Sequence, residues 1–156
     1  MTTIKEALLW ITDILDRAEV PYQIVGGLAA HAYGGSRPLY DIDMYIPEAG
    51  LSKILAQIEP FFVRAPSHFV NESWDITFMA MDYKGQRIEI GIAEGTKIFD
   101  PQLNQWIDED IKFDESQRRS IEGIDVWVMP KSKLLAYKRR LARDVDVQDI
   151  AELERA

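Results

Sequence analysis

The chain contains no cysteine, which excludes disulfides, a thiolate nucleophile and cysteine-ligated zinc together. Histidine is almost as scarce. His31 and His68 stand far apart with no motif around either, and two lone histidines do not make a zinc site. No apolar run approaches the roughly 20 residues needed to cross a bilayer. The N-terminus is polar and then amphipathic rather than signal-like, so no membrane association is expected and cytoplasm is the default compartment. Basic residues are the minority, 18 against 26 acidic, for a net charge of −8. A surface of that sign repels a phosphate backbone over about a Debye length, which argues against long nucleic acid as a partner. Cationic small molecules, protein partners or metal-chelated nucleotides suit it better. Repeats, low-complexity tracts and linkers are absent too.

What is present reads as one domain over residues 1–156, 47% hydrophobic and long enough to bury a core. Ile4, Ala7, Leu8, Ile11, Leu15 and Ala18 recur at helical period, with capping-box spacing from Thr3 to Glu6 and a stop at Val20-Pro21. A short apolar strand, 22–25, runs into Gly26-Gly27, and a short helix over 28–33 ends at Gly34-Gly35. Residues 41–46 alternate polar and apolar, the pattern of a strand with one buried face, closed by Pro47. Leu51, Ile54, Leu55 and Ile58 mark a second amphipathic helix. Strands are expected over 74–83 and 87–93, joined across 84–86. Residues 94–117 carry no readable pattern. A second hairpin turns at Glu122-Gly123, a helix follows Pro130 over 133–143, and Asp146 is placed to cap a last helix through Leu153. The expected class is α+β, a mixed sheet with helices packed on it.

The chemistry concentrates in two places. In an extended strand, residues two apart share a face, so Asp41 and Asp43 project together while Ile42, Met44 and Ile46 turn inward. Across ~6.6 Å at an effective dielectric of ~20, the two charges repel by about 2–3 kcal/mol. A divalent cation removes that repulsion, and magnesium takes one or two carboxylates together with substrate phosphates. By itself, Asp-x-Asp is more often a solvated strand face. Gly26-Gly27, which lets backbone N–H groups come close to a phosphate, supplies the other half of a metal–triphosphate site.

Ile24-Val25-Gly26-Gly27, thirteen intervening residues, then Asp41-Ile42-Asp43-Met44 resembles the motif of the polymerase-β-type nucleotidyltransferase superfamily. The stretch VGGLAAHAYGGSRPLYDIDMYIP is similar to small bacterial members, the minimal nucleotidyltransferases and abortive-infection toxins. The tail MPKSKLLAYKRRLARDVDVQDIAEL resembles the Lys-rich helix and Arg-x-x-Asp-x-x-Asp-Ile segment that often closes those domains. The resemblance implies the nucleotidyltransferase fold and a third carboxylate on a later strand. Glu89, in QRIEIGIAE, matches that place, where many relatives carry Asp. It also implies Mg²⁺ held by Asp41, Asp43 and Glu89, and a nucleoside triphosphate as substrate. Asp75 and Glu94, at strand ends, are weaker candidates for the third acid.

Arg37, four residues before Asp41, has the forked geometry for phosphate oxygens, against the competing reading of a plain surface arginine. Lys138, Arg139 and Arg143 form a basic stretch that would touch nucleotide or acceptor, unless it is a solvated helix face. Lys138 is taken with Gly26, Gly27 and Arg37 as nucleotide-binding. His31 near the glycines, and Trp106 and Phe113 as acceptor-pocket aromatics, are lesser candidates. The expected activity is transfer of a nucleoside monophosphate to a hydroxyl on a small molecule or a protein side chain, with a partner protein or homodimerisation completing the acceptor site. The alternative is a non-catalytic nucleotide-binding or interaction module on the same fold, as in one half of a toxin–antitoxin pair.

Overall fold

The computed structural model describes residues 2–155. The helical period of the N-terminal segment forms α1 (Thr2–Arg17), with Ala7, Leu8, Ile11 and Leu15 fully buried along one face. The Thr3 side chain expected to cap it lies outside the described residues. β1 (Gln23–Val25) leads directly into α2 (Gly26–Ala32), which begins at the first glycine rather than at Leu28. β2 (Asp41–Ile46) and α3 (Glu48–Ile58) follow. Then come the strands of the middle region: β3 (Phe62–Val70), β4 (Trp74–Tyr83), β5 (Gln86–Ile92), β6 (Lys97–Asp100) and β7 (Gln105–Asp108). β8 (Gln117–Ile121) and β9 (Ile124–Val128) form the second hairpin, and α4 (Lys131–Leu141) and α5 (Asp144–Arg155) end the chain.

The strands make one mixed sheet in the order β7-β6-β4-β5-β2-β1-β9-β8, with β3 paired to β4. β2 lies parallel to β5 and antiparallel to β1, and β1 lies parallel to β9. Both expected hairpins turn on two residues of positive φ, Lys84-Gly85 and Glu122-Gly123, the turn whose twist suits paired strands. α1 crosses β2, β5 and β9 and packs on α3, while α2 contacts α4 and α5. The alternation read in the sequence holds. Ile42, Met44 and Ile46 of β2 and Ile88, Ile90 and Ile92 of β5 are buried in the core. No helix among the described residues is long and apolar enough to cross a membrane.

Two local expectations are corrected. β3 was not anticipated: it carries Pro66 and two register irregularities against β4, and it alternates weakly because much of it is exposed at the sheet margin. Asp146 does not cap α5 from outside. It sits in the first turn and reaches back, its carboxylate accepting the Arg143 backbone N–H at 3.1 Å.

Candidate active site

The parallel register of β2 on β5 sets Asp43 directly beside Glu89 and Asp41 beside Arg87. Because β2 alternates, Asp41 and Asp43 point to the same face of the sheet, and Glu89 meets them from the next strand. On the other side of β2, Val25 pairs with Asp43, so the chain enters α2 beside the same carboxyl. Gly26 has φ +67°, and a Cβ built on it would stand 3.0 Å from Asp43 Oδ2. A side chain there would be strained and would crowd the carboxylate. Gly27 is bare for a related reason: a Cβ would come within 2.8 Å of Arg37 Nη2, so the guanidinium lies against the glycine.

These residues line one cleft of about 400 Å³: Gly26, Gly27, Arg37, Asp41, Asp43 and Glu89 along its floor and one wall, with Arg143 also facing in. Asp43 keeps an opening to the cleft but is crowded elsewhere by protein. Burial, then the charge of Glu89, a hydrogen bond with Glu89 and the charge of Asp41 push its carboxyl up to about 8; Arg143 opposes them. Asp41 is also raised, by burial and by Glu89, with Arg87 working the other way. Among the described residues no three such side chains are already drawn together tightly enough to hold a metal. Glu89 is shared between the two sides of its strand position: it meets Asp43, and its Oε1 is 3.0 Å from Arg87 Nη2.

The arginine side of the cleft is built differently. Arg37 donates through Nε and Nη2 to the two oxygens of Asp149, at 3.2 and 2.9 Å. Arg143 donates to both oxygens of Asp146, at 2.7 and 3.1 Å. Lys138 joins the two pairs, its Nζ 2.9 Å from Asp149 and 3.5 Å from Asp146. Its side chain is 0% exposed, so it does not face the cleft as the sequence reading expected; it sits behind the arginines and ties their partners together. Burial pushes the Asp149 carboxyl up, but the bonds from Arg37 and Lys138 outweigh it and hold the acid below its ordinary range.

The lesser candidates are engaged elsewhere. Asp75 lies 2.6 Å from His68 Nε2, and Glu94 accepts the backbone N–H of Glu48 at the start of α3. His31 is exposed outside the cleft, Trp106 packs edge-on against Phe99, and Phe113 rests on the core. Arg139 pairs with Glu154 at the surface. Sequence reasoning did not single out Tyr45 and Gly91, which also line the cleft. The signal was available: each lies two residues beyond a candidate acid on its strand, hence on the same face.

By sequence, the chain matches no family model and no curated protein. Solved structures do resemble it. A Thermotoga maritima protein assigned to the nucleotidyltransferases superposes with a TM-score of 0.69 at 17% identity, covering 97% of this chain and 94% of that one. The lincosamide antibiotic adenylyltransferase LnuA, lincomycin-bound, gives 0.63 at 15% identity, covering 96% and 95%. ANT(2″)-Ia in complex with adenylyl-2″-tobramycin gives 0.60 at 16% identity, covering 97% and 88%. At these identities the likeness establishes the fold, and the chain has the nucleotidyltransferase fold.

Proposed function

We propose that the protein is a Mg²⁺-dependent nucleotidyltransferase, a single cytoplasmic domain that moves a nucleoside monophosphate from a nucleoside triphosphate to a hydroxyl acceptor. The observation that carries this reading is the register of β2 on β5, which gathers Asp41, Asp43 and Glu89 on one cleft face beside Gly26. The donor set fits magnesium. It is all oxygen, and it concentrates negative charge where nearby cations compensate it incompletely. Asp41, Asp43 and Glu89 would hold the ion once Glu89 turns from Arg87. When bound, magnesium neutralises charge on the triphosphate and makes a nearby hydroxyl more acidic.

The chain's own residues supply the rest. Gly26 and Gly27 leave room for phosphate oxygens against the backbone. Arg37, with Nε and Nη2 committed to Asp149, keeps Nη1 for a phosphate, and Arg143 faces the same space. Glu89 accepts the proton of the attacking hydroxyl. A bond forms from the acceptor oxygen to the α-phosphorus. The bond to pyrophosphate breaks, and its electron pair leaves with the pyrophosphate. The likeness to LnuA with lincomycin and to ANT(2″)-Ia with adenylyl-2″-tobramycin supports a small-molecule acceptor over a protein side chain.

Thermal unfolding with each nucleoside triphosphate, with and without Mg²⁺, on wild type and Asp43→Asn tests the reading. A Mg²⁺-dependent rise in midpoint with a particular nucleotide, absent from the variant, is the expected result. No rise with any triphosphate would sink it and leave the non-catalytic, partner-dependent module.

A further inference from the structure

Beyond the carboxylates the cleft changes character, and the sheet register shows where. On the catalytic face Asp43 and Glu89 form one row, with the small Ala80 of β4 beside Glu89. The next row is Tyr45, Gly91 and Phe78, and Ile76 and Trp74 continue β4 along the same face. Phe69 of β3 closes the far side. Gly91 lets the side chains of Ile76 and Tyr45 close over the sheet as the floor of this half: a Cβ there would lie 2.9 Å from both Ile76 Cδ1 and Tyr45 Cε1, so a larger residue would push that lining into the cleft. Arg37 and the glycines lie across β2, on the β1 side. In phosphoryl transfer the attacking and leaving oxygens are roughly in line. With pyrophosphate leaving toward Arg37, the acceptor therefore enters over β5 and β4, on the aromatic rows. This half adds no carboxylate to Asp41, Asp43 and Glu89, so a polycation would find no further anion there.

Resting on the nucleotidyltransferase reading above, we infer that the rows headed by Tyr45–Gly91–Phe78 and closed by Phe69 form the acceptor subsite, and that the acceptor is a neutral, ring-bearing hydroxyl compound rather than a polycation. Its ring lies on the aromatic faces and its hydroxyl points back to Glu89.

Ligand-observed saturation-transfer NMR without nucleotide tests this, using phenol, 2-phenylethanol and 7-hydroxycoumarin as one panel and tobramycin and spermidine as the other. The proteins are wild type, Gly91→Val and Phe69→Ala. Wild type should bind members of the aromatic panel in preference to the polycations. Gly91→Val should weaken that binding by about tenfold or more, and Phe69→Ala by about threefold or more. If Gly91→Val does not fold, Phe69→Ala, on a partly exposed strand, decides the matter. The assignment is overturned if no aromatic compound binds, if the variants bind as wild type does, or if the polycations bind more tightly. It is also overturned if the variants lose the Mg²⁺–nucleotide thermal shift to the same degree, because the nucleotide's base would then occupy the subsite. Loss of the nucleotide shift in wild type, with panel binding intact, would instead break the nucleotidyltransferase reading alone.

Discussion

Asp43 on β2 and Asp149 on α5 both carry a carboxyl into the protein interior, but their surroundings push the two acids in opposite directions. For Asp43, burial and two neighbouring carboxylates act together, with Arg143 the countering charge. For Asp149, burial acts the same way, but Arg37 and Lys138 bond to the ionised form and win. The cluster around Lys138 is electrostatically closed for its acids: Asp149 is bonded by Arg37 and Lys138, and Asp146 by Arg143 and Lys138. The sheet floor a few residues away is left open. An imbalance of that kind, held in place by a register that could have positioned neutral residues, is what a cation-dependent site requires.

The closed cluster is the place for the largest effect. Replacing Lys138 by Met leaves Asp146 and Asp149 buried with one cation fewer, and removing one partner of a buried ion pair typically costs about 3–5 kcal/mol. Urea unfolding of Lys138→Met should show a loss of that order. A loss below about 1 kcal/mol, the range of an exposed pair, would mean the cluster is not the closed unit described.

The open floor should respond with the opposite sign. A carboxyl whose folded-state pKa is raised binds its proton more tightly when folded. Its contribution is therefore favourable below the ordinary carboxylate range and is lost as pH climbs through about 8. Metal-free wild type should lose stability from about pH 4 to about pH 8 on this account. Asp43→Asn should remove that slope and be the more stable protein at pH 8.5, since relief of the repulsion with Asp41 alone amounts to about 2–3 kcal/mol. Thermal melts of both proteins in chelator across that range decide it. A destabilised Asp43→Asn at high pH would show that the floor is compensated after all.

Gly26 stands between the two regions. Gly26→Ala puts a methyl 3.0 Å from Asp43 Oδ2 at φ +67°, and should cost about 1–2 kcal/mol in chemical denaturation. If the loss comes from strain and crowding at Asp43, it should shrink when Asp43→Asn is combined with it; strict additivity would separate the glycine from the acid.

How much of this was legible beforehand follows the physics of each signal. The β2 strand was readable because Asp41 and Asp43 alternate with the buried Ile42, Met44 and Ile46, and the two hairpins because their turns need positive φ. β3, β6 and β7 were not: β3 is largely exposed at the sheet margin, and β6 and β7 have four residues each, too few to display a period of two. Asp41 and Asp43 were neighbours by strand alternation, but Glu89 could be set beside them only through a resemblance, because parallel pairing joins residues 46 positions apart and leaves no local trace. Lys138 was misread because sequence shows a charge but not its partners. The aspartates that bury it come from the following helix, one turn apart, and only the packing of α4 on α5 brings them over its ammonium.

The smallest expected effect sharpens the comparison most. Arg87 holds Glu89 at 3.0 Å with both side chains partly exposed, so the pair should contribute well under about 1 kcal/mol, and Arg87→Gln should melt close to wild type. Its influence on cation binding is another matter. Arg87 is a positive charge beside Asp41 and a competitor for the Glu89 carboxylate, so removing it deepens the negative potential and frees a ligand. The Mg²⁺ concentration giving half of the nucleotide-dependent shift should fall by about three- to tenfold. A rise instead would mean that Arg87 positions Glu89 for the metal, which would bring the floor nearer to the braced Arg37 and Arg143 than the contrast with Asp149 implies.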